Sequence, residues 1–94
     1  MVRVTERATT ALQQLLDTND APAAAGVRLT PTDRGDLGMT IDEPHPGDEI
    51  IRRDQTPVLI VDSVVADRVA DLEVDYQSPD DDHQTPGGFI LQPL

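Results

Sequence analysis

Pro57-Val58-Leu59-Ile60-Val61 is the longest run of large apolar residues in the chain. It is β-branched and too short for an ordinary globular helix, so it reads as a strand buried on both faces. A strand of that kind is central, and the remaining segments must pair with it and cover it. The chain has 94 residues, enough for one domain with one small core. Apolar residues make up 37% of it, below the usual ~45–50%, yet Leu, Val and Ile fall in periodic clusters that indicate folding rather than disorder. With no Trp, one Phe and one Tyr, the core must be aliphatic, and Phe89 and Tyr76 are its only large rings.

The other elements follow from periodicity. Val2 and Val4 alternate with Arg3 as a short opening strand. Thr5 is a suitable N-cap, and Glu6 sits in the first turn, where the helix dipole favours negative charge. Ala8, Ala11, Leu12, Leu15 and Leu16 then form one apolar stripe of a helix that Asn19 and Pro22 end. Gly26 to Thr30 alternates as a half-buried strand with Val27 and Leu29 facing in, and Pro31 stops its ladder. After a charged corner, Leu37, Met39 and Ile41 share one face of a second strand. Asp42 to Asp48 is a turn by composition, Ile50 and Ile51 mark another strand, and Arg53 to Thr56 is a polar turn. Asp62 or Ser63 caps a short helix through Val64, Val65 and Val69. Leu72, Val74 and Tyr76 alternate with Glu73, Asp75 and Gln77 as a strand, Ser78 to Pro86 is a polar loop, and Phe89-Ile90-Leu91 is the last strand. The expected fold is mainly β (α+β). Short, mostly antiparallel strands form a barrel-like or two-sheet arrangement, with one N-terminal helix and a short second helix. The absence of strict βαβ alternation excludes a doubly wound parallel sheet.

Composition excludes several chemistries. The formal net charge is −11, and the chain has no lysine, only scattered arginines. That opposes nucleic acids and anionic membranes, which are bound through clustered cations. The acidity fits solubility or a salt-rich cytoplasm, with a basic partner as the alternative. The sequence has no cysteine, so disulfides, zinc ribbons, thiolate nucleophiles and thiolate-held iron–sulfur clusters are excluded within it. No apolar run approaches the ~18–20 residues of a membrane span and no signal peptide leads the chain, so a cytoplasmic protein is expected.

Candidate site residues are few. The corner Gly35-Asp36-Leu37-Gly38 has two glycines but no phosphate-loop continuation, and its glycines read as permitting a tight turn. His45 lies between two prolines and reads as an exposed turn residue. Asp80, Asp81, Asp82 and His83 could offer oxygen and imidazole ligands to a cation, but acidic loops are more often solvated, and no calcium-loop spacing is present. Ser63 and Ser78 sit in no nucleophile pattern. Nothing makes a positive case for an enzyme.

The order of the segments resembles the HesB/IscA-like family, the A-type carriers of iron–sulfur cluster assembly. The likeness runs from Val2 to Pro93. It is carried by Thr5-Glu6-Arg7-Ala8, Gly26-Val27-Arg28-Leu29, Asp42-Glu43-Pro44, Leu72-Glu73-Val74-Asp75-Tyr76 and Gly88-Phe89-Ile90-Leu91-Gln92-Pro93. Members of that family hold iron or a cluster with one cysteine in a Gly-Cys-Ser-Gly corner and two in a Cys-Gly-Cys segment beyond the final strand. Here Asp36 stands at the corner cysteine, Leu37 at the serine, and Leu94 follows directly on Gln92-Pro93 with no Cys-Gly-Cys segment in the sequence. The resemblance therefore implies the fold without the carrier chemistry, since one hard carboxylate does not replace three soft thiolates.

The expectation is a single HesB-like domain over residues 1–94, cytoplasmic, non-enzymatic and without a cofactor. It would act as an accessory or interaction module with protein partners. Family members commonly form dimers or tetramers, so the resemblance also implies self-association, and some strand edge must be covered. The alternative is a mononuclear metal-ion protein that holds iron or another hard cation with Asp36, assisted by His83 and the acidic loop.

Overall fold

A computed structural model of the chain describes residues 2–34, 37–77 and 88–94. Its elements are β1 (Arg3–Val4), α1 (Glu6–Thr18), β2 (Gly26–Pro31), β3 (Leu37–Asp42), β4 (Glu49–Arg53), β5 (Thr56–Val61), α2 (Ser63–Val69), β6 (Leu72–Gln77) and β7 (Gly88–Pro93). The strands form two sheets, ordered β3-β2-β5-β4 and β1-β6-β7. Pairing is mixed. β2 runs parallel to β5 and β1 parallel to β6, while β2–β3, β4–β5 and β6–β7 are antiparallel. Of the two expected arrangements, the two-sheet one is present; the described strands do not close into a barrel.

The Pro57–Val61 run forms the heart of β5. Val58, Leu59, Ile60 and Val61 are all fully buried, as a strand enclosed on both faces requires. Leu59 and Val61 join Val27 and Leu29 of β2 in the core, against Ala8, Leu12 and Leu16 of α1 and Val65 and Val69 of α2. Burying each such Leu or Val stabilises the fold by ~1.5–3 kcal/mol. Tyr76 and Phe89 pack edge to face, 5.0 Å between ring centroids, but both are only partly buried. The rings therefore flank an aliphatic core and do not fill it.

The helix α1 starts where Thr5 predicts. Thr5 Oγ1 accepts from the Ala8 N–H at 3.1 Å and donates to Asp75 Oδ1 at 2.7 Å. Arg7 donates to the other Asp75 oxygen at 2.7 Å. Asp75 is therefore held below the usual carboxylate range, first by the Thr5 hydroxyl, then by Arg7 and the Tyr76 N–H. This cluster ties the start of α1 to the middle of β6. At the other end, Asn19 caps the helix and Asp20 takes a positive φ of 51°, which turns the chain toward β2. The expected polar turn after β4 is a tight hairpin, with Asp54 and Gln55 both at positive φ.

One strand departs from its pattern. β2 reads as half-buried, yet Gly26, Val27, Arg28 and Leu29 are all buried. Alternation places Arg28 on the face opposite Val27 and Leu29. That face is closed by the segment between β3 and β4, which folds back onto the guanidinium.

Candidate functional site

Asp36 and His83, the two proposed metal ligands, lie outside the described residues, as do Asp80, Asp81 and Asp82. Among the described residues, no group of three His, Cys, Asp or Glu side chains could hold a metal ion. Of the corner, Leu37 and Gly38 are described, and both belong to β3. Gly38 pairs with Thr30 within the ladder, on the strand face opposite Leu37 and Met39 as the alternation predicts, and its φ is not positive, so the tight turn also read into the corner glycines does not fall on it. A Cβ there would stand 3.3 Å from Thr32 Cγ2, so close packing against the chain entering the corner accounts for the glycine.

Two features stand out. The first is a staple around Arg28, whose side chain is 5% exposed. Its Nε donates to Asp42 Oδ2 at 2.9 Å, and its Nη2 donates to the Glu43 carbonyl at 2.9 Å and to Asp48 Oδ2 at 2.7 Å. Asp48 is equally buried and also accepts the His45 N–H at 2.7 Å. Asp62, the N-cap of α2, stands 3.8 Å from Nη1. The Arg28 hydrogen bond, then the His45 N–H, hold Asp48 below the usual carboxylate range; the Glu43 N–H, then Arg28, do the same for Asp42. Arg28 is raised in turn, chiefly by Asp48. The His45 side chain is exposed, as its place in the turn predicts, and its Nε2 lies 3.7 Å from Asp42. With its donors directed at carboxylates and a carbonyl of its own chain, Arg28 fastens the β3–β4 connection and is not offered to a ligand.

The second feature is an apolar cleft of about 310 Å³ where the two sheets part. Leu29, Leu37 and Met39 form one wall; Val74, Phe89, Ile90 and Leu91 form the other. Met39, Ile90 and Leu91 are 38%, 39% and 39% exposed, which is high for large apolar side chains. β3 and β7 are edge strands of different sheets, so among the described residues each wall ends in an unpaired edge. Among the described residues, its lining carries no acid, base or nucleophile. These side chains can bury apolar groups, and none of them supplies a proton-transfer or nucleophilic group.

Sequence reading missed both features. Arg28 could have been flagged as a charged residue beside two core positions, with the run Asp42 to Asp48 available to neutralise it. The cleft left a weaker trace: β7 contains no charged residue, in a chain where 27% of residues are charged.

Mixed pairing in two sheets, with a capped N-terminal helix against β6 and a short second helix, defines an α+β domain. No protein-family model matches the sequence. No curated protein matches it either. Solved structures do match. Escherichia coli SufA, described as involved in biosynthesis of iron–sulfur clusters, aligns with a TM-score of 0.68 at 21% identity over 98% of this chain and 84% of its own. An IscA that holds a [2Fe–2S] cluster aligns at 0.60 and 22% identity, over 99% of this chain and 82% of its own. A protein from Aquifex aeolicus, solved in solution by NMR, aligns at 0.66 and 20% identity, over 99% and 91%. The chain has the HesB/IscA-like fold.

Proposed function

We propose that this chain is a non-catalytic accessory protein of iron–sulfur cluster biogenesis in the cytoplasm, acting through protein contacts and not by carrying a cluster on thiolates. One observation carries the proposal: a fold shared with SufA and IscA in a sequence without a single cysteine. Cluster irons are held by soft thiolates, and neither the corner carboxylate nor the apolar cleft offers one. What the described surface offers instead is exposed apolar side chains beside two free strand edges, a feature suited to protein contact.

Anaerobic reconstitution of the purified chain with ferrous iron and sulfide tests this directly. The expected result is no cluster absorbance surviving desalting, and no iron or sulfide retained with the protein. A stable, stoichiometric cluster chromophore refutes it.

A further inference from the structure

We draw no further inference here: the strongest candidate, the apolar cleft between the edge strands β3 and β7, carries nothing further because nothing among the described residues shows what covers it.

Discussion

Removing the guanidinium of Arg28 is the most informative single change in the molecule. R28M keeps a side chain of similar length in the buried position and deletes the charge. It strands Asp48, whose side chain is 5% exposed, with only the His45 N–H as a strong donor, and it orphans the Glu43 carbonyl. Breaking a buried ion pair by removing one partner costs about 3–5 kcal/mol. The exposed pairs to Asp42 and Asp62, whose side chains are 37% and 36% accessible, add little to that. In a domain of this size each kcal/mol moves the melting midpoint by ~4–8 °C, so R28M should melt at least ~12 °C below the parent. Urea unfolding followed by far-ultraviolet circular dichroism measures the loss. The double variant R28M/D48L should recover much of it, because the uncompensated carboxylate disappears together with its partner. A loss below ~1 kcal/mol in R28M, or a double variant no better than the single, refutes the assignment of Arg28 as a buried staple.

Two further outcomes follow from the same structure. Asp42, Asp48 and Asp75 have folded-state pKa values below their ordinary ones, so the stability they contribute is present above the unfolded value of ~3.9 and is lost as pH falls through the folded values. The urea midpoint should therefore owe no change to these groups between about pH 5 and 8 and fall below about pH 4, less steeply in D75N; an unchanged midpoint down to pH 2.5, taken as roughly one unit below the ordinary value, contradicts the placement of these carboxylates. Gly47 has φ +90° with open space where a Cβ would lie, whereas Gly88 has the same open space without a positive φ. G47A should cost about 1 kcal/mol from backbone strain alone and G88A a few tenths at most, measured by the same unfolding curves.

The elements with strong local signals were legible. The β5 run, the α1 stripe with its Thr5 cap and the alternation of β6 all lie where periodicity places them, because each is decided by neighbours within one element. What the sequence hid depends on groups far apart in the chain. Arg28 alternates with core residues and reads as solvent-facing; its burial follows from Asp48, twenty positions on, folding back over the sheet. Gly38, by contrast, lies in the β2–β3 ladder, where the Leu37–Met39–Ile41 alternation places it on the opposite face of the strand. The cleft is least legible of all. It exists because the edges of two separate sheets stand side by side, and no pattern within β3 or β7 encodes that. Of the candidate ligands, Asp36 and His83 rest on sequence alone.

The placement of the stabilising contacts bears on how a fold outlasts a chemistry. The core centres on Leu12, Leu29, Leu59 and Val61, and the Arg28 staple acts at the Gly26–Asp42 end of the β2–β3 hairpin, away from the corner that joins Pro31 to Leu37. The Thr5–Asp75–Arg7 cluster fastens α1 to a different sheet. None of these contacts needs a ligand at the corner. A change of side chain at that corner leaves untouched the groups that hold the domain folded. Agreement at about one residue in five with SufA is therefore compatible with a shared backbone and different binding chemistry, because the contacts that fix the backbone lie away from the corner. The same separation is why function here does not follow from the fold alone.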